Sequence, residues 1–235
     1  LAIIITRQYR HTLKKDRKGS LMISNTDKGT FKLGEDALID EGVMLNYKPS
    51  RAINIVLSIG PGARVRSGTI IYGGSQIGRY LETGHNVIIR EESIIGDSLR
   101  IWNNSVIDYG CQIGNNVKIH TKVYVAQFTQ IEDDVFMAPG VTCANDIHPG
   151  CPDSSKCMQG PHIKKGAQIG VNCTILPWVV IGEYSVIGAG SVVTKDIPAG
   201  MVAYGNPARV VSDISELKCN SGFRDKPYNH ISWRI

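Results

Sequence analysis

The stretch Ile89-Arg-Glu-Glu-Ser-Ile-Ile95-Gly-Asp-Ser-Leu-Arg-Ile101-Trp-Asn-Asn-Ser-Val-Ile107-Asp-Tyr-Gly-Cys-Gln-Ile113-Gly-Asn-Asn-Val-Lys-Ile119 places an isoleucine at every sixth position. Followed in both directions, the step runs through Ile53, Ile59, Val65, Ile71, Ile77 and Thr83, and onward through Val125, Ile131, Met137 and Cys143. Fourteen of these sixteen positions are Ile, Val or Met. The step resumes at Ile163, Ile169, Ile175, Ile181, Ile187 and Val193. A shorter run, Leu33, Ile39 and Leu45, precedes it, offset by two residues around Pro49-Ser50, which makes 25 hexads in all. A period of six is no multiple of 3.6, so helices are excluded, whereas strand alternation and β-branched side chains suit it.

A small or β-branched residue follows each aliphatic by four positions, as at Ala63, Thr69, Ser75, Ser93, Ser105, Cys111, Thr129, Ala167, Cys173, Ser185 and Ser191. Glycine often follows the aliphatic directly, as at Gly60, Gly78, Gly96, Gly114, Gly170, Gly182 and Gly188. There, Gly and Asn are expected to supply the unusual backbone angles of tight corners. This hexapeptide pattern resembles the left-handed parallel β-helix acyltransferases. The resemblance implies an all-β solenoid of three hexads per triangular coil. That means about eight coils over residues 33–211 and a prism roughly 38 Å long at strand spacing. Residues 1–32 then form an N-terminal arm and 212–235 a tail, in which Asp213-Ile-Ser-Glu216 reads as a capping box. Family members are typically homotrimers, so a homotrimer is expected, with flat faces closed around a three-fold axis.

Composition agrees. The 235 residues hold 25 glycines, above ordinary use, and only 7% aromatics. The formal charge of +5 resides between Arg7 and Lys18, where Arg7, Arg10, Lys14, Lys15, Arg17 and Lys18 face Asp16 alone. The rest of the chain is neutral, so nucleic acid is not the expected partner. No apolar run approaches a membrane span, and Ile3-Ile4-Ile5 is too short for a secretory leader. The chain is therefore expected to be cytoplasmic, with its cysteines as free thiols. Cys111, Cys143 and Cys173 fall on repeat positions and read as small core residues.

The repeat lapses from Cys143 to Ile163, a spacing of 20 rather than 18, and the intervening loop (144–162) carries Asn145, Asp146, His148, Cys151 and Cys157. A loop ejected from a rigid scaffold is where function concentrates. In the hexapeptide acetyltransferases a loop at this place carries the catalytic histidine, which His148-Pro149 resembles. A neutral imidazole accepts a proton from an attacking amine or hydroxyl near pH 7. Asp146 is expected to orient that ring, and Asn145 to donate to substrate or to a tetrahedral oxyanion. The spacing His148-x2-Cys151-x5-Cys157-x4-His162 would supply four zinc ligands, but it matches no standard knuckle. His85, Arg90 and His120 are candidate substrate contacts. Glu91 and Glu92 follow Arg90 in that stretch.

The segment Gly188-Ala-Gly-Ser-Val-Val-Thr-Lys195-Asp-Ile-Pro-Ala-Gly-Met-Val-Ala-Tyr-Gly205-Asn-Pro-Ala-Arg209 resembles the last coils of acetyl-CoA-dependent hexapeptide transferases. That implies acetyl-CoA as co-substrate, close backbone approach at Gly188 and Ala189, and phosphate contacts from Lys195 and Arg209. The Thr83–Glu91 stretch and the Asn145-Asp146 pair resemble the branch that N-acetylates nucleotide-linked amino sugars. His148-Pro149 is closer to the sugar O-acetyltransferases, so a hydroxyl acceptor is the alternative. From another class, the γ-carbonic anhydrases share the β-helix and bind zinc through three histidines, but their close-spaced histidine motif is missing around His120. A purely structural hexapeptide domain is disfavoured because no Gly-rich nucleotidyltransferase segment precedes the repeat.

Overall fold

The computed structural model describes residues 13–15, 21–25, 29–51 and 56–228. Ile53, Arg7, Arg10, Arg17 and Lys18 lie outside them, while Lys14 and Lys15 fall on the strand Leu13–Lys15. Three parallel sheets, built mostly of two-residue strands, wrap one axis as a left-handed parallel β-helix of eight coils. Face one stacks Leu33, Ile59, Ile77, Ile95, Ile113, Ile131, Ile163 and Ile181. Face two stacks Ile39, Val65, Thr83, Ile101, Ile119, Met137, Ile169 and Ile187. Face three stacks Leu45, Ile71, Ile89, Ile107, Val125, Cys143, Ile175 and Val193. Each aliphatic points inward onto its equivalent one coil away, and the outward neighbour alternates with it as strand geometry requires. At the first coil, the antiparallel strands Leu13–Lys15 and Leu21–Asn25 extend face one. At the last, Met201–Gly205 and Ala208–Asp213 close face two.

The small residues of the repeat are buried and line the corners. Their hydroxyls donate to carbonyls of the next coil: Ser75 to Arg90, Ser93 to Asp108 and Ser105 to His120, at 2.7–3.1 Å. Corner backbone that strand pairing leaves bare is satisfied in this way. The glycines directly after the aliphatics do a different job from the one expected. A Cβ on Gly78 would stand 2.7 Å from the Gly96 carbonyl carbon, so glycine is needed for close approach between coils. The left-handed backbone angle falls two residues later instead. There it is tolerated by Asn86, Asn104 and Asn116, and also by Tyr80, Lys122, Phe128 and Trp178.

The registers also correct the reading of the breaks. Leu33 pairs with Ile59 and Ile131 with Ile163, so each break is one corner stretched while the coils on either side stay stacked. After Leu33 the next inward position of face one is Ile59, and Ile53 lies outside the described residues. Both insertions leave the corner between face three and face one. We call this corner three (72–75, 90–93, 108–111, 126–129 and 144–161). The corner between faces two and three (84–87, 102–105, 120–123 and 188–191) is corner two. Near the C-terminus, Asp213 caps the short helix Ile214–Glu216 through a 2.8 Å bond from the Ser215 amide.

Candidate active site

Corner three carries a polar ladder directly under the ejected loop. Asn145 donates from Nδ2 to Gln127 Oε1 at 2.5 Å, and Gln127 Nε2 donates to Asp108 Oδ2 at 2.7 Å. The Tyr124 hydroxyl donates to the same oxygen at 2.8 Å. Asp108 Oδ1 takes the Arg90 guanidinium at 3.1 Å and the Tyr109 amide at 2.8 Å. Arg90 in turn grips Glu91, whose side chain is fully buried, and Glu91 also receives Arg51 Nε at 3.2 Å. Arg51 belongs to the first insertion and lies 3.8 Å from the Tyr109 ring centroid, a cation–π contact. The two insertions are thus joined through one side of the prism.

Electrostatics fix the charge state of Glu91, Arg90 and Tyr124. Burial works to raise the Glu91 carboxyl, but hydrogen bonds from its own backbone, Arg90 and Arg51 keep it below the usual carboxylate range. Burial likewise opposes the Arg90 charge, and the carboxylates of Glu91 and Asp108 outweigh it. Tyr124 is pushed up, by burial first and then by its bond to Asp108, so it stays a donor. Buried Cys111 is pushed up to about 12 and is no nucleophile at neutral pH.

The loop is tied at both ends. The Gln159 amide donates to the Asn145 carbonyl at 2.9 Å, and Gln159 Nε2 to the Phe128 carbonyl at 2.7 Å. The Trp178 indole, on the next coil, donates to the Cys157 carbonyl at 3.0 Å. A one-turn helix, Ser154–Cys157, spans the outer part. His148 is exposed on the loop, and its backbone amide donates to Asp146 Oδ1 at 2.9 Å. Asp146 therefore organises the turn that presents His148, instead of holding the imidazole as expected.

The other candidates separate into groups. Arg90 belongs to the ladder, where Glu91 and Asp108 neutralise it, so it is not a free anion contact. His85 and His120 sit at corner two. His85 Nδ1 lies 2.9 Å from Ser67 Oγ, and His120 stacks on Trp102 at 4.7 Å with Phe136 at its edge. Gly188 and Ala189 continue corner two, and Tyr204 packs so closely over Gly188 that a Cβ there would lie 2.7 Å from the Tyr204 Cβ. Lys195 lies in a turn of corner three, while Arg209 is on the outermost strand of face two. His162 turns to Glu132 at 2.9 Å on face one, and among the described residues no three His, Cys, Asp or Glu side chains converge to hold a metal.

Asp108, Tyr124, Gln127, Gln159 and Trp178 were not singled out from sequence. The signal was available: Gln127 and Asn145 are 18 residues apart, as are Arg90 and Asp108, which is one coil in each case.

Comparison with known proteins agrees with this architecture. The bacterial transferase hexapeptide (six repeats) family model matches residues 110–145 and 160–195, leaving out residues 146–159 of the ejected loop. A galactoside O-acetyltransferase of Lactococcus lactis is 37% identical over 150 residues, 59% of this chain and 68% of the relative. That of Escherichia coli is 35% identical over 134 residues, 52% of this chain and 63% of the relative. A dTDP-3-amino-3,6-dideoxy-α-D-galactopyranose 3-N-acetyltransferase of Aneurinibacillus thermoaerophilus is 49% identical over 63 residues. That match spans 27% of this chain and only a third of the relative's length. Among the described residues no helix is long and apolar enough to cross a membrane. With its stacked hexads, its ejected loop between the two matched segments and these relatives, the chain belongs to the hexapeptide-repeat family of bacterial transferases.

Proposed function

We propose that this protein is an acyltransferase that moves an acetyl group from acetyl-CoA to the amino group of a sugar, the sugar being carried on a nucleotide. The observation that carries this reading is the exposed His148 held on a tied loop above the ladder at corner three. In this chemistry the neutral amine attacks the thioester carbonyl and forms a C–N bond. The His148 imidazole takes the amine proton, the C–S bond breaks, and the proton passes to the departing thiolate. Asn145 and Asp146 are assigned to substrate contact and to the loop turn respectively. A hydroxyl acceptor is the second reading, favoured by His148-Pro149 and by the galactoside O-acetyltransferase relatives.

The outward row of face three supports assembly as a homotrimer. It reads Met44, Ile70, Ile88, Val106, Tyr124, Thr142, Thr174 and Val192, with no charge over eight coils. Face two shows Arg64, Glu82, Arg100 and Lys118 in the equivalent places. An uncharged apolar face of this extent is an association surface. If three copies close on face three, corner two of one copy meets corner three of the next. That arrangement would bring His85, His120, Gly188 and Ala189 to the neighbour's His148 loop, with Lys195 and Arg209 available to CoA phosphates from separate edges.

The test is thiol release from acetyl-CoA against dTDP-linked amino sugars, free amino sugars and simple galactosides. The reading expects turnover with an amino sugar and a loss of at least ~10²-fold in His148→Ala, the scale of a general base. Full activity in His148→Ala removes the histidine from catalysis, and turnover with galactosides alone moves the acceptor to a hydroxyl.

A further inference from the structure

The ladder at corner three has a polarity, and a carboxylate sets it. An ionised carboxylate only accepts hydrogen bonds. The Asp108 side chain is 8% exposed, and Tyr124, Gln127, Arg90 and the Tyr109 amide all donate to it. Turning the Gln127 amide over would set its oxygen against the carboxylate, two acceptors facing each other without a proton between them. Gln127 must therefore give Nε2 to Asp108, which leaves Oε1 facing Asn145. Asn145 must then give Nδ2 to Gln127. Its Oδ1 is left as the acceptor end of the ladder, at the root of the His148 loop.

We propose that Asp108 is a positioning residue that acts through Gln127 to present the Asn145 Oδ1 as a hydrogen-bond acceptor to the acyl-accepting substrate. The inference rests on the acyl-transfer reading above and deepens it. Asn145 accepts from the N–H or O–H of the acceptor group instead of donating to an oxyanion, the role its sequence context suggested. An amine or hydroxyl held this way keeps its lone pair directed away from the Asn145 oxygen and available for attack. A group with no hydrogen to donate is refused, because two acceptor oxygens would face one another.

The experiment exploits the polarity. Asp108→Asn is isosteric and lets Gln127 and Asn145 turn over. It is expected to raise the KM for the acceptor about tenfold while leaving the KM for acetyl-CoA unchanged. Asp108→Asn combined with Gln127→Glu rebuilds the order of donors and acceptors: the amide introduced at position 108 donates to the carboxylate introduced at 127, and Asn145 must donate to that carboxylate too. The double variant should recover most of the lost acceptor affinity. Gln127→Met, which leaves Asp108 in place, should reproduce the single-variant defect if Asp108→Asn fails to fold. Independently of activity, NMR of 15N-Asn/Gln-labelled protein should show slow solvent exchange of the Asn145 side-chain amide. That protection should be lost in Asp108→Asn and regained in the double variant. Unchanged acceptor KM and unchanged amide exchange in Asp108→Asn, or a double variant no better than the single, overturns the proposal. If no acceptor is turned over at all, the acyl-transfer reading fails, and the amide exchange alone decides the orientation of Asn145.

Discussion

Trp178→Phe tests how the loop is held. Trp178 lies on the coil beyond the loop and is 57% exposed. Its indole N–H makes one side-chain bond to the loop, 3.0 Å to the Cys157 carbonyl. Phenylalanine keeps most of the ring and meets the same left-handed backbone angle, so the comparison isolates that bond. A net protein hydrogen bond is worth about 0.5–1.5 kcal/mol, and at an exposed site water recovers part of it, which leaves about 0.5–1 kcal/mol. At room temperature this multiplies the population of the opened loop by about 2–5-fold, while the Gln159 bonds still hold its base. Lys156 lies within the helical part of the loop, where its side chain is exposed and paired with Asp153, so trypsin can report opening there. Cleavage after Lys156 should accelerate by about 2–5-fold in Trp178→Phe, with the melting temperature of the coil unchanged. Cleavage at the wild-type rate refutes the idea that the indole bond restrains the loop, and acceleration well beyond tenfold shows that the ring packing, not the bond, does the holding.

Three further outcomes follow from the geometry. Ile88→Asp puts a charge in the middle of the uncharged row of face three; if the proposed homotrimer closes on that face, light scattering should show the variant as monomers without loss of the β-sheet circular dichroism, and a variant as oligomeric as the wild type would remove face three as the interface. Gly78→Ala forces a Cβ to 2.7 Å from the Gly96 carbonyl carbon, so the backbone must part between coils, and a loss of about 1–3 kcal/mol is expected by urea denaturation. Glu91 is held below its ordinary carboxylate range, so its contribution to stability is full above that range and disappears as pH falls through the depressed value. The melting temperature should accordingly be flat near neutrality and drop as pH falls into and below the ordinary carboxylate range, and Glu91→Gln should start lower and lose less on acidification.

The legibility of this protein follows from how its contacts are spaced. Within the unbroken run, every inward aliphatic stacks on its equivalent 18 residues away, so the partner of Ile95 or Ile107 is known once the period is known, without any long-range information. The same regularity made the His148 loop visible as an interruption. What went unread was what happens at the interruptions. Periodicity alone does not say that face one resumes after Leu33 at Ile59, the position that pairs with it. The role of Asp146 turned on which atom of His148 its carboxylate meets, and the structure has it take the backbone amide. The placing of Arg209 on the outermost strand of face two depended on the closing antiparallel strands, which carry no hexad.

The amino-acid sequence by itself determined the solenoid, its eight coils, its inward core and the place of the ejected loop, because all of these are written in a repeat whose contacts are periodic. Only the tertiary structure decided that both insertions emerge from the same corner, and that Arg51, Glu91, Arg90, Asp108, Gln127 and Asn145 form one connected ladder beneath the His148 loop. The physical reason is that these groups meet across coils through side-chain hydrogen bonds, whose direction depends on which atom faces which. A linear pattern of residue types records that a polar residue is present, but not whether it gives or takes a proton at that point.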